Sequence, residues 1–224
     1  MNAAELTGQV TAHVVAVSEP PCVVHLNVRA PFAALRRSAL AAGIDLQPVS
    51  SFRDFDRQLD LWNGKFTGAR PLYDAEGRPL DATLLSEAER VEAILGWSAL
   101  PGASRHHWGT DLDLIDASAV PPGYRVQLTA AEYSNAGPFA WLAEWLSEHA
   151  ARFGFFRPFR GVLSGVQAEP WHFSFAPVAE PARRALEPRV LEAALRTAPL
   201  LGKEHVLKRL DELHARYVAS IDFP

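Results

Sequence analysis

Cysteine is nearly missing from this chain: Cys22 is the single one among 224 residues. An intrachain disulfide is therefore impossible and a thiolate metal cluster is excluded, while the lack of disulfides fits any compartment. Long basic runs are missing too. The 22 Lys and Arg are dispersed among 26 Asp and Glu, giving a net charge of −4. Nucleic-acid and anionic-membrane surfaces show clustered cations, so neither partner is expected. No stretch approaches the roughly 20 apolar residues of a spanning helix. The valine-rich start (Val14, Val15, Val17, Val23, Val24) is broken by Glu19-Pro20-Pro21 and lacks a basic segment ahead of it. It does not read as a secretory signal. The expectation is a chain without membrane insertion and without a visible export address. Repeats, low-complexity tracts and a second domain are also absent, leaving one domain over residues 1–224 as the default for this length.

What is present is a 48% hydrophobic content, enough for a sizeable core, in readable periods. Residues 8–29 read as short extended segments around a Pro-Pro break. Pro31 is expected to open a helix that buries Phe32, Leu35, Ala39 and Leu40 and ends at Gly43. A strand over 45–52 leads into a helix over 54–65, with Asp54 as cap and Phe55, Leu59 and Trp62 as its buried stripe. Residues 64–85 read as a long loop. Capping boxes stand at Ser86–Glu89 and Thr129–Glu132. A helix over about 138–152 closes at Gly154. Two amphipathic helices, parted near Pro199 and Gly202, fill residues 182–221.

The chemistry gathers in Ser104-Arg-His-His-Trp-Gly-Thr-Asp-Leu-Asp113 and in Glu169-Pro-Trp-His172. Asp111 to Ile115 alternates acid and apolar residues, as a half-buried strand does, so Asp111 and Asp113 share one face. Gly109 lets the chain turn into that strand from His106. Imidazole nitrogen and carboxylate oxygen suit zinc, and a catalytic zinc takes three protein ligands and keeps one position open. His106, Asp113 and His172 are the expected ligands, with Glu169 beside them as base. Arg53, at a strand end before a helix, can reach a cleft and bind a carbonyl oxygen or a carboxylate. Ser51 and Gln58 share that status as candidate substrate contacts; Trp171 is a further candidate, though Trp171 and Trp108 also read as core or cleft-wall packing.

Plain alternatives exist for each residue: paired histidines are often core or surface groups, Glu-x-x-His is common, and most arginines are solvated or ion-paired. The joint occurrence of two acids on one strand face, a preceding glycine and a later Glu-x-x-His outweighs them. Ser104, His106 and Asp113 contain the residue types of a serine triad, but no Gly-x-Ser-x-Gly elbow accompanies them. Cys22 as a thiol nucleophile has only its presence in favour.

These segments closely resemble the zinc D-alanyl-D-alanine carboxypeptidases of the VanY type. Those enzymes share a fold with D-Ala-D-Ala dipeptidases and with the metal-binding domain of hedgehog signalling proteins. The shared pattern is Ser-x-His-x-x-Gly-x-(small or acid)-x-Asp followed by Glu-x-x-His. Ser50-Ser51-Phe52-Arg53 with Gln58 resembles the upstream block, and the likeness spans roughly residues 32–176. It implies an α+β fold in which helices surround a small, mostly antiparallel sheet carrying one Zn2+. It also implies His106, Asp113 and His172 as ligands, Glu169 as general base, Arg53 on the scissile carbonyl and Ser104 on the substrate. Phe52 stands where tyrosine is frequent. Asp111 stands where many relatives have alanine, and it is either a support for the site or a substrate contact. The implied reaction is hydrolysis at the D-amino-acid end of a peptidoglycan stem peptide. A phage-type L-alanyl-D-glutamate endopeptidase and a non-catalytic zinc-binding recognition module are the rival functions.

Overall fold

The computed structural model describes residues 1–163 and 165–222. A short helix α1 (Ala3–Leu6) precedes a hairpin of β1 (Val14–Ser18) and β2 (Pro21–His25), paired antiparallel from Val14↔His25 to Ser18↔Pro21. Helix α2 (Arg29–Ala41) follows, then β3 (Leu46–Ser50) and α3 (Phe55–Phe66). Residues 64–85, expected as loop, contain the small hairpin β4 (Leu72–Tyr73) and β5 (Pro79–Leu80). Beyond α4 (Glu87–Leu95) come β6 (Asp111–Asp116), α5 (Ala140–His149), β7 (Phe155–Phe156) and β8 (His172–Phe175). The tail carries α6 (Ala176–Ala185), α7 (Pro188–Thr197), α8 (Lys203–Lys208) and α9 (Leu210–His214), closed by a π-turn over Ala215–Ala219.

The central sheet has strand order β3-β6-β8-β7, every pairing antiparallel. Its middle strand β6 is buried along its whole length, which corrects the expectation of a half-buried strand. Leu112 and Leu114 enter one core with Phe32 and Leu35 of α2 and Leu142 and Trp145 of α5. A second core is built from α3, α4 and the tail helices, around Trp62, Ile94, Leu191 and Leu213. Packing on both faces buries the acids as deeply as the leucines.

Several boundaries differ from the periodic reading. Helix α2 begins at Arg29, so Pro31 sits third rather than first. The first turn tolerates it because those N–H groups have no intrahelical acceptor. Leu40 is 68% exposed and lies off the buried stripe of Phe32, Leu35 and Ala39. The tail is four helices, not two. It starts at Ala176, directly after β8, and breaks again before Pro188, whose ring has no N–H to continue a helix. Both capping boxes form, at Ser86 and Thr129, and Asp54 caps α3 by accepting from Arg57 N.

Candidate metal centre and cleft

Three chain segments converge on one point. Asp113 of β6 and His172 of β8 are direct cross-strand partners, and such pairs hold their Cβ atoms about 4.5–5.5 Å apart. His106 comes from the short 3₁₀ turn Arg105–Trp108, which ends at Gly109 with φ 65°. A side chain on Gly109 would be strained there, and its Cβ would lie 2.6 Å from His25 N and from Val14 Cγ1. The β1–β2 hairpin thus presses the turn against the sheet, with His25 N donating to Gly109 O at 2.8 Å.

One ligand atom from each of His106, Asp113 and His172 falls within 4.8 Å of the others. His106 Nε2 lies 3.4 Å from Asp113 Oδ2, and His172 Nδ1 lies 3.0 Å from Asp113 Oδ1. His106 Nδ1 meets Ser51 O at 2.8 Å; as the donor in that contact it leaves Nε2 with its lone pair toward the centre. Burial lowers the His106 pKa, outweighing the pull of Asp113, so this imidazole is neutral. The Asp113 carboxyl is held well below the ordinary range: burial raises it, but His106 and His172 together overcome that. Once His172 gives up a proton, two imidazole nitrogens and one ionised oxygen at this spacing fit a divalent ion with bonds of about 2.0–2.2 Å.

His172 is the residue that a metal would change most. Burial pushes its pKa down, but hydrogen bonds to Asp111 and Asp113 win and raise it to about 10. Without metal the ring is an imidazolium bridging two carboxylates; as a ligand it must give up the Nδ1 proton. Uptake of a divalent ion at pH 7.5 should therefore release about one proton per site. Calorimetric titration in buffers of different ionisation enthalpy measures this directly, and metal uptake with no proton release would contradict the bridging arrangement.

Behind His172 stands a buried polar cluster. Asp111 Oδ1 accepts from His172 Nε2 and from Arg105 Nε, each at 2.8 Å. Its Oδ2 accepts from Ser174 Oγ at 2.9 Å and from the Thr110 hydroxyl. Arg105 Nη2 closes the ring on Ser174 Oγ at 2.6 Å, and the guanidinium lies over the Trp108 and Phe156 rings. Burial raises the Asp111 pKa, yet Arg105 and His172 hold it below the ordinary range.

Glu169, Pro170, Trp171 and His172 form a turn in which His172 N donates to Glu169 O at 3.2 Å, with proline at its favoured second position. The turn brings Glu169 Oε2 to 3.4 Å from His172 Nδ1. Burial raises the Glu169 carboxyl to about 7, against the lowering pull of His172, Lys65 and Arg53. Arg53 is aimed by two acceptors, Gln58 Oε1 at 2.7 Å and Ser50 Oγ at 3.1 Å. Gln58 is itself fixed by Nε2 donating to Ala99 O.

A cleft of about 280 Å³ opens on this centre. Arg53, Ser104, His106, Asp113, Glu169, Trp171 and His172 all line it. Ser51, Gln58 and Asp111, expected along the substrate, are not among its lining residues. Ser51 spends its carbonyl on His106 and its hydroxyl on Val23 N. Gln58 is fully buried under Arg53, and Asp111 has both oxygens filled by four donors. Their place is behind the residues that face the cleft. Sequence reasoning missed Lys65, Phe159, Tyr217 and Val218 on the cleft wall. The last two come from the tail, and no motif pointed to them. It also missed Arg105, although a buried acid such as Asp111 demands a counter-charge, and Arg105 lies inside the same motif.

The chain has relatives in sequence and in structure. A family model described as VanY, D-alanyl-D-alanine carboxypeptidase, matches residues 22–178. An uncharacterised protein of Haemophilus influenzae is 36% identical over 121 residues, 53% of this chain and 92% of that protein. The solved structure of VanYB in complex with D-alanine-D-alanine superposes with a TM-score of 0.55 at 20% identity, over 84% of this chain and 91% of that one. A mutant of the VanY D,D-pentapeptidase from the VanB-type resistance cassette, in complex with Zn(II), gives 0.53 at 20% identity, over 86% and 88%. At that identity the two structures show a shared fold, in which helices surround a small antiparallel sheet. With its matched segment running from the first hairpin into α6 and taking in the whole central sheet, the chain belongs to the VanY family of D-alanyl-D-alanine carboxypeptidases.

Proposed function

We propose that this chain is a zinc-dependent carboxypeptidase that hydrolyses the last peptide bond of a D-alanyl-D-alanine-terminated peptidoglycan stem peptide. The observation that carries this reading is the placement of Glu169, raised to about 7, beside the His106–Asp113–His172 set on one cleft wall. A recognition module needs the metal set but not a largely buried carboxyl poised near neutral pH. Zinc held by His106, Asp113 and His172 would supply a Lewis acid and lower the pKa of water in the site.

The chain's own residues do the rest. Glu169 takes a proton from the attacking water as the new C–O bond forms, then gives it to the amine nitrogen as the C–N bond breaks. Arg53, aimed by Gln58 and Ser50, donates to the carbonyl oxygen where negative charge builds up. Ser104 offers a hydroxyl to the bound peptide, while Trp171 and Phe159 wall the centre and thin out bulk water around it.

The test is release of D-alanine from D-Ala-D-Ala-terminated muropeptides by the purified zinc protein. Turnover should vanish with a chelator and return with added Zn(II). Cleavage confined to an L-alanyl-D-glutamate bond would replace this reading by the endopeptidase one. Binding without any cleavage would replace it by the recognition module.

A further inference from the structure

Among the described residues, one cation of the cleft has neither a counter-ion nor a hydrogen-bond acceptor. Lys65 is the penultimate residue of α3, two turns beyond Gln58 on the same helix, and its side chain lines the cleft that also holds Arg53 and Glu169. The other arginines that line the cleft, and the two beside Tyr217, are committed. Arg53 donates to Gln58 and Ser50, Arg105 is paired with Asp111, and Arg209 and Arg216 are paired with Glu92. Among the described residues Lys65 has neither an ion pair nor a hydrogen-bond acceptor. Burial pushes its pKa down to about 8 even though Glu169 pulls it up, as expected for an ammonium drawn out of water without a partner.

An uncompensated, partly desolvated charge is costly to keep. The charge balance of the cleft says what would offset it. Arg53 and Lys65 face Asp113 and Glu169, and Arg105 is cancelled by Asp111 behind the wall. A divalent ion bound there, with His172 neutral as its ligand, would leave the site with a surplus of positive charge. An internal peptide bond brings no anion of its own to such a cleft. A peptide ending one residue past the scissile bond brings a free carboxylate.

We propose that Lys65 Nζ binds the free carboxylate at the C-terminal end of the substrate and so restricts cleavage to the end of a peptide. The assignment rests on the peptidase reading above and makes Lys65 the residue that separates an exopeptidase from an endopeptidase on this scaffold. It asks of Lys65 a single charge-assisted contact with a carboxylate oxygen.

The experiment compares a D-Ala-D-Ala-terminated peptide with the same peptide capped as its C-terminal amide. Binding is followed calorimetrically on the zinc-loaded Glu169→Gln protein, and cleavage on the zinc-loaded wild type. The acid should bind roughly 10- to 100-fold more tightly than the amide, the range of one charge-assisted contact. Adding Lys65→Met should bring that ratio close to one, whereas Lys65→Arg should retain most of it. Zinc content and melting temperature of both variants check that α3 is intact. Equal binding of acid and amide by the parent protein, or a preference that survives Lys65→Met, overturns the assignment. Turnover without preference sinks the anchor and spares the peptidase. A preference that depends on Lys65 without any turnover supports the anchor and sinks hydrolysis.

Discussion

Replacing Glu169 by alanine should leave the zinc content of the protein at its wild-type level and lower kcat on a D-Ala-D-Ala-terminated peptide on the order of 10³-fold, within the range for loss of a positioned acid–base group. The separation follows from geometry. Glu169 Oε2 stands 3.4 Å from His172 Nδ1 but is not one of the three converging ligand atoms. Among the described residues it is also the only carboxyl of the cleft whose affinity for protons is raised rather than lowered. Wild-type turnover in the variant would remove the base from the mechanism, and loss of zinc would make Glu169 a ligand instead. The same residue should cost the metal-free protein stability. Its carboxyl is raised from 4.5 to about 7 by burial. The folded state is therefore favoured while the group is neutral, fully so below pH 4.5, and that advantage is lost as pH rises to 7. Glu169→Gln should then be more stable than the metal-free wild type by about 3 kcal/mol at pH 8, and no more stable at pH 4. Denaturant unfolding at the two pH values measures the difference. A gain of that sign in a variant that no longer turns over is what a group kept for chemistry rather than folding produces.

How far the sequence reached depended on whether the deciding contacts were local. Asp54, Ser86 and Thr129 cap helical turns through bonds spanning three residues, and all three were legible. The segment Ser104–Asp113 announced its own turn and strand through Gly109 and the alternation that follows. Its link to β8 rested on the later Glu-x-x-His segment and on the family resemblance. What stayed hidden was set by packing from far along the chain. Leu40 fits the helical stripe by period, yet no element covers it. Asp111 stayed open between supporting the site and touching substrate, because strand alternation gives the face and not the depth. Only the arrival of Arg105 and Ser174 places it behind His172. Tyr217 and Val218 reach the cleft because the tail folds back over α4, with Tyr217 Oη donating to Glu92 at 2.7 Å. No spacing rule in the tail encodes that return. Lys65 is a penultimate helix residue of the sort usually left to solvent, and its exception is visible only once the cleft is built.

His172→Ala should abolish stable zinc binding, and Asp111→Asn should weaken it by roughly 10- to 100-fold, the usual cost of losing the partner behind a metal-binding histidine. The two substitutions act on one imidazole from opposite sides. His172 offers Nδ1 to the centre and gives Nε2 to Asp111. Asp111 thereby fixes the ring plane and the tautomer, and its charge makes the imidazole a better donor. Asparagine keeps the size but loses the charge, and its amide can turn an N–H toward Nε2 and favour the wrong tautomer. It also leaves Arg105, 7% exposed and held by that carboxylate at 2.8 Å, as a buried cation short of its partner. A fall in stability alone would follow from that loss, so the deciding measurement is zinc affinity by competition with a chelator on the folded protein. Arg105→Met combined with Asp111→Asn removes the stranded charge while leaving the imidazole unsupported. If Asp111 acts through His172, the double variant should regain stability over Asp111→Asn and stay equally weak for zinc. Recovery of wild-type affinity in the double variant would confine Asp111 to neutralising Arg105, and full zinc content in His172→Ala would take β8 out of the metal centre altogether.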